Sequence, residues 1–353
     1  MRDRIATVTG PGKVEIVEEP AAPGPFRVRT LYSGVSAGTE LAFVKGTHPA
    51  LHESFDAELG LFGGKPEQPY PVTRLGYMEV GRVERSDTPV VAEGDVVAMT
   101  YGHRTGWTGD PLRDRIVKLP AGLDPLLGIY VAHMGPICAN GLLHAAPHPA
   151  QRLGDGVADM RVAVVGAGVV GLLTALFARA HGAASVVVLD PTPARRDIAA
   201  ALGLETMDTE GDPAAVLKTA WRHTADDRGA DVVFQCRGQA SALQLALRLL
   251  RPQGTVIDLA FYQGGADEVR LGEEFHHNGL GVRCAQIGRV PRGLAPTWDR
   301  ERLSAATIDL LEADGPAIRK HMISSVVPFD EAPALFADLA ARRRHELQAV
   351  IAM

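Results

Sequence analysis

Residues 161–190 read RVAVVGAGVVGLLTALFARAHGAASVVVLD. The continuous apolar run at 162–165 is the pattern of a strand buried on both faces. Gly166, Gly168 and Gly171 follow at the G-x-G-x-x-G spacing, with Val169 and Val170 between them, and an apolar stretch of helical length continues from 172 to 180. A second strand-like run at 185–189 ends in Asp190, nineteen residues after the last glycine. Gly166 permits the tight turn out of the strand, Gly168 leaves room for a pyrophosphate to approach the backbone, and Gly171 lets the helix pack closely on the sheet. The helix start, where Val169 and Val170 stand, offers free N–H groups and a positive dipole end to that pyrophosphate. Asp190 stands where a carboxylate accepts both hydroxyls of an adenosine ribose. Strand, glycine turn, helix, strand and acid in that order imply dinucleotide binding. The apolar run does not read as a membrane span, because three glycines interrupt it and it falls short of the roughly 20 residues a bilayer requires.

The rest of the chain sets bounds around this stretch. Its 353 residues suit two domains with ample core. Charges of 36 Lys and Arg against 42 Asp and Glu give −6, with no basic block and 5% aromatics, which argues against nucleic acid as a partner. The charged start, MRDRIATVTG, carries no apolar export segment, so a cytoplasmic location with no membrane partner is expected. Cys138, Cys236 and Cys284 form no C-x-x-C pair, which excludes a disulfide framework and a four-cysteine zinc lobe.

Before residue 130 the pattern is of short strands, at 5–8, 14–17 and 26–31, punctuated by Pro11-Gly12 and Pro23-Gly24-Pro25. An antiparallel, barrel-like domain is expected there. Residues 41–75 read as a long insertion rich in Gly, Pro and His, either a lid or a mobile surface excursion. Its His48, His52, Glu53 and Glu58 fit no defined metal spacing. Strand character resumes at 76–83 and at 96–97, and the apolar segment 126–146 has a helical second half opened by Pro136. After residue 161 strands and helices alternate: strands at 162–165, 186–189, 232–235 and 255–260, with helices at 194–202 and 240–250. This alternation implies a doubly wound parallel sheet, a Rossmann arrangement. A last strand is expected at 281–287, then helices at 304–311 and 331–342 and a closing strand at 347–351.

The order of motifs resembles the medium-chain dehydrogenase/reductase family. The resemblance rests on Gly38-Thr39-Glu40, Gly76 with Gly81, Gly94-Asp95 with Val97, Leu119-Pro120, Pro136-Ile137-Cys138-Ala139, Gly166 to Gly171, Asp190 and Val327-Pro328-Phe329-Asp330-Glu331-Ala332. It implies an α/β protein: a β-rich, barrel-like (GroES-like) catalytic domain split in sequence, residues 1–138 and 290–353, beside a Rossmann dinucleotide-binding domain at 139–289, with the active site in the cleft between them. Zinc-dependent members carry a Cys before the Gly-Thr turn, a His after the glycine of Gly-His-Glu, and a third ligand on the linking helix. Ala37, Tyr77 and Cys138 hold those positions here, and Met78 replaces the acid after the His. One ligand of three cannot hold a catalytic zinc, so a zinc-free enzyme is expected, with Cys138 a buried small residue. Within the family, the Ser36-Ala37-Gly38-Thr39-Glu40 turn and the Gly76–Val83 segment look most like a zinc-free branch that includes bacteriochlorophyllide dehydrogenase and alcohol dehydrogenases of specialised metabolism.

Without zinc, side-chain donors must polarise the substrate oxygen. Thr39, Tyr77 and His103 are the candidates. Thr39 matches the family hydroxyl that contacts substrate, or is an ordinary turn hydroxyl; Tyr77 is a phenolic donor, or fills the vacated metal site; His103 is an acid/base candidate near neutral pH. Glu40 would orient its neighbours, and His133, Asn140 and His144 would line the cleft, whereas His276-His277 reads as loop. Asp190 favours NAD over NADP, Arg195 matches a family basic residue that touches the same ribose, although Arg195-Arg196 could instead pair with a 2′-phosphate, and Gly238 and Phe261 are further expected cofactor contacts.

The leading expectation is therefore an NAD(H)-dependent, zinc-independent oxidoreductase interconverting a secondary alcohol and a ketone on a specialised metabolite. An NADPH-dependent enoyl or quinone reductase is the second reading, and a catalytically silent dinucleotide-binding protein the third. A small-molecule substrate and a homodimer paired through the 281–287 strand are the expected partners.

Overall fold

The structure, a computed structural model, describes residues 1–146 and 151–353. The chain divides into two compact units, Met1–His133 with Ile323–Met353, and Met134–Met322.

In the second unit six parallel strands stand in the order Glu205–Met207, Ser185–Leu189, Arg161–Val165, Ala230–Gln235, Leu250–Asp258 and Gly281–Cys284. The order reverses between Arg161–Val165 and Ala230–Gln235, which makes the carboxyl ends of those two strands a topological switch point, the usual place for a ligand on such a sheet. Their apolar runs are continuous because helices cover both faces; Val162 to Val164, Val233 and Phe234 have no exposed surface. Gly281–Cys284 lies at the sheet's edge, with Val282 to Cys284 exposed.

In the first unit a mostly antiparallel sheet runs Ile323–Pro328, Gln348–Ala352, Phe26–Gly34, Glu79–Ser86, Val96–Met99 and Val117–Lys118, and Gly106–Gly109 also pairs with Phe26–Gly34. Arg2–Gly10 and Lys13–Pro20 form a separate two-stranded ribbon, with isolated bridges from Ile5 to Arg104 and Val8 to Val72. Together the units make the α/β fold expected from the sequence, a Rossmann sheet and a β-rich domain whose chain is interrupted.

Three expectations need correction. The first-domain chain returns at Ile323, not at 290, because the 304–311 helix is the middle of a 22-residue helix, Arg300–His321, that belongs to the second unit. Its Thr307 packs where a Cβ on Gly135 would stand, so the Met134–Ala145 helix approaches it at a glycine. The 41–75 segment is not wholly a surface excursion: it opens within the helix Thr39–Lys45, whose Leu41, Phe43 and Val44 enter a core with Val8, Leu335 and Ile351. Its middle forms a hairpin of Ser54–Asp56 and Leu61–Gly63. The last strand stops at Cys284, before the expected 287. No helix among the described residues is long and apolar enough to cross a membrane.

Candidate functional site

The fingerprint forms as its residue types require. Gly166 leaves the strand at φ +106°, a left-handed conformation that a side chain would strain. Gly168 caps the helix Val169–Ala180 in an extended conformation, so Val169 and Val170 occupy its first turn. A Cβ on Gly171 would overlap the carbonyl oxygen of Gly166. Over Gly168, by contrast, the space is open: the nearest atom to a Cβ there is Arg195 Nη1 at 3.9 Å. Glycine is thus required at 171 by packing, whereas at 168 it leaves room for something the chain does not supply.

Asp190 is tied to this loop. Its Oδ2 accepts from Ala167 N at 2.9 Å and its Oδ1 from Thr192 N at 2.8 Å, which leaves each oxygen a further lone pair. Arg196 does not face the loop as a cation; it donates to the Asp190 carbonyl and pairs with Asp208. Beside the ends of the two central strands lies a cavity of about 330 Å3, bordered by Val165, Leu189, Pro191, Arg237 and Ser241. Gly238 approaches Phe261 so closely that a Cβ would overlap the Phe261 carbonyl oxygen, and Phe261 is 42% exposed. The glycine loop, the acid and the open strand ends therefore fit a dinucleotide.

In the first unit, the Thr39–Lys45 helix start and the Gly76–Tyr77 turn bring three hydroxyls together. Tyr77 shares hydrogen bonds with Ser36 and Thr39, and its ring lies 4.6 Å from that of His133. Desolvation first, then the charge of Glu40, pushes the Tyr77 phenol up to about 12, against the pull of those hydrogen bonds. Tyr77 is therefore a neutral donor near pH 7. Thr39 and Tyr77, named separately from the sequence, are thus one cluster, and Ser36 joins them without having been singled out.

His103 has a different place. It is wholly buried, and both ring nitrogens are engaged: Nδ1 lies 2.6 Å from Ser33 Oγ, and Nε2 lies 2.9 Å from Glu40 Oε2. Ser33 donates to Glu79 Oε1 at 2.9 Å, so it must accept from Nδ1–H. With Nε2–H donating to a carboxylate, this arrangement suits a ring that carries both protons. Burial opposes that charge, but Glu40 and Glu79 outweigh it and His103 titrates above its ordinary value. Burial likewise raises Glu79, against the pull of His103 and of backbone and Ser33 hydrogen bonds. His103 is thus wholly enclosed, bonded to Ser33 and Glu40, and it is not one of the hydroxyl cluster around Tyr77.

This cluster makes a stability prediction. Glu79 and His103 both titrate above their free values of 4.5 and 6.5, so the folded state holds protons more tightly than the unfolded one. The His103 contribution is complete below pH 6.5 and is lost as pH rises through the raised value. Urea midpoints of the wild type are expected to fall on going from pH 6.5 to alkaline pH, and His103→Ala, which leaves two buried carboxylates uncompensated, is expected to lose about 3–5 kcal/mol at pH 6.5 and to flatten that dependence.

Other candidates sit apart. Asn140 is buried and its Nδ2 bonds the carbonyls of Ala285, Gln286 and Arg289, so it holds the chain after the edge strand rather than lining a site. The His144 carbonyl accepts from Arg283, and burial lowers its imidazole. His48 stacks on Phe43, His52 bonds the Gly46 carbonyl, and His276 and His277 touch edge to face on the surface.

Of the three positions where zinc ligands would be expected, Ala37 has no donor and Tyr77 offers a phenol bonded to Ser36 and Thr39. Cys138 is buried, donates to the carbonyls of Met134 and Val170, and is pushed up to about 12 by burial. Among the described residues no group of three or more His, Cys, Asp or Glu side chains is placed to hold an ion.

The family model described as "Zinc-binding dehydrogenase" matches residues 169–291. A D-guloside 3-dehydrogenase of Shigella flexneri is 26% identical over 338 residues, 91% of this chain and 90% of that protein. The fold is shared with a zinc-binding dehydrogenase from Sinorhizobium meliloti 1021 bound to NADP, at a TM-score of 0.75 and 20% identity over all of both chains. It is shared also with a structure described as a short chain alcohol dehydrogenase (rspB) from E. coli CFT073 complexed with NADH, at a TM-score of 0.72 and 14% identity over 100% of this chain and 99% of that one. The chain is therefore similar to zinc-binding dehydrogenases over residues 169–291 and shares the fold of solved dehydrogenase structures along its length.

Proposed function

We propose that this protein is a zinc-independent, NAD(H)-dependent dehydrogenase that interconverts a secondary alcohol and a ketone on a sugar-like or other specialised metabolite. The observation that carries the proposal is the Tyr77 hydroxyl, held by Ser36 and Thr39 where a metal ligand would be expected. Its relative's activity on a guloside supports a polyhydroxylated substrate.

The cofactor, when bound, supplies or accepts the hydride. Everything else falls to the chain. The fingerprint N–H groups and the helix start bind the pyrophosphate, and Asp190 accepts the ribose hydroxyls while its charge disfavours a 2′-phosphate. Arg195, near the loop, balances the pyrophosphate charge. Tyr77 and Thr39 donate hydrogen bonds to the substrate oxygen, stabilising negative charge that develops on it during reduction and supplying its proton. Glu40 and His103 are positioning residues that fix the helix start carrying Thr39.

NADP in one neighbour and NADH in another belong to those proteins, so the preference rests on Asp190. The wild type is expected to bind NADH at least about tenfold more tightly than NADPH, and Asp190→Ala is expected to erase that margin; equal affinities in the wild type would remove the NAD assignment. Turnover across alcohols, ketones and enones separates the competing activities. Reduction of enones alone, with NADPH, would favour the reductase reading, and cofactor binding without turnover on any of them would favour a silent binding protein. The exposed edge strand Gly281–Cys284 supports a homodimer, which a monomeric mass in solution would reject.

A further inference from the structure

Two loops leave the carboxyl ends of the neighbouring strands Ala230–Gln235 and Leu250–Asp258, on the far side of the switch point from Asp190. Three side chains join them. Gln235, with no exposed surface, donates from Nε2 to the Tyr262 hydroxyl at 3.0 Å and to the Arg237 carbonyl, while its Oε1 accepts from Arg237 N at 3.1 Å. The Tyr262 hydroxyl donates onward to Asp258 Oδ2 at 2.9 Å, and Asp258 Oδ1 accepts from Ala260 N at 2.9 Å. The proton directions admit one arrangement: an amide nitrogen only donates and a carboxylate only accepts, so the phenol takes one hydrogen bond and gives one. Burial raises both Asp258 and Tyr262, so the phenol keeps its proton. Backbone contact closes the junction where Gly238 meets the Phe261 carbonyl.

None of these three side chains is needed by the hydride chemistry above, yet they sit where the cofactor must pass. A dinucleotide with its adenosine ribose at Asp190 and its pyrophosphate on the Gly166–Gly171 turn has its second half directed across the switch point, over these strand ends. We infer that Gln235, Tyr262 and Asp258 are positioning residues that lock residues 235–239 and 258–262 together as the floor for the nicotinamide half of the cofactor. The inference rests on the dinucleotide reading of the fingerprint.

Tyr262→Phe removes one oxygen and leaves both partners unmatched while keeping the ring. Calorimetric titration of the full-length protein with NADH and with ADP-ribose, which lacks the nicotinamide, separates the two halves. Tyr262→Phe is expected to weaken NADH about tenfold and ADP-ribose less than twofold. Asp258→Ala is expected to repeat that pattern, and Asp258→Asn, which retains an acceptor, to recover most of the lost affinity. Equal loss for both ligands would reduce the network to general structural support and overturn the inference, as would unchanged NADH affinity in both Tyr262→Phe and Asp258→Ala. Failure of the wild type to bind either ligand would instead overturn the dinucleotide reading itself.

Discussion

Gly168→Ala is expected to leave the fold intact and remove most of the affinity for NADH, whereas Gly171→Ala is expected to cost fold and cofactor together. Gly168 has φ −80° and ψ −179°, a conformation open to any residue, and a methyl there meets nothing nearer than Arg195 Nη1 at 3.9 Å. The folded protein alone gives no reason for a glycine at that position. A pyrophosphate on the helix start gives one, because the added methyl occupies the space through which phosphate oxygens reach the N–H groups. Overpacking of that kind costs about 1–3 kcal/mol, or roughly 5- to 150-fold in Kd. At Gly171 the methyl would strike the Gly166 carbonyl, so the helix must move off the turn whether or not cofactor is present. Thermal melts and NADH titration of both variants check the pair. A Gly168→Ala protein that binds NADH like the wild type would mean that the pyrophosphate lies elsewhere.

The second large effect belongs to the hydroxyl cluster. Tyr77→Phe combined with Thr39→Ala is expected to lower turnover by about 10²- to 10⁴-fold, the range for a positioned proton donor. NADH affinity is expected to stay within about twofold, because neither residue belongs to the unit that carries the fingerprint. With the phenol pushed up to about 12, ketone reduction by the wild type is expected to show no loss from Tyr77 ionisation below about pH 10. Steady-state rates and cofactor titrations on the double variant provide the check. Unchanged turnover would assign the substrate oxygen to other groups.

What could be read from the sequence depended on whether a residue's role is local. Gly166, Gly168, Gly171 and Asp190 act within one strand-turn-helix-strand unit, and their spacing alone implied their arrangement. Helix periodicity also found most of the Rossmann elements, but it cut Arg300–His321 short: Asp314-Gly315-Pro316 reads as a turn, and only packing of Leu303, Leu310, Leu311 and Ile318 carries the helix past it. His103 was legible as a titratable residue, but its surroundings were not. Its partners, Ser33, Glu40 and Glu79, come from three separate segments, and no sequence signal tells a buried imidazole from an exposed base. Ser36 and Tyr262 were missed for the same reason: their hydroxyls acquire meaning from Tyr77, Gln235 and Asp258, which the fold brings near. The Tyr77–Thr39 pairing was implied only by the family positions of the two residues.

The central claim is that hydride chemistry on an alcohol or ketone proceeds here through hydroxyl donors, with no catalytic metal. Its most direct test is NAD(H)-coupled turnover of secondary alcohols and their ketones by protein stripped of metal with a chelator, with metal content measured on the same sample. The account predicts turnover that survives stripping within about twofold and is not raised by added zinc. Loss of activity on stripping, restored by one equivalent of zinc per chain, would contradict it.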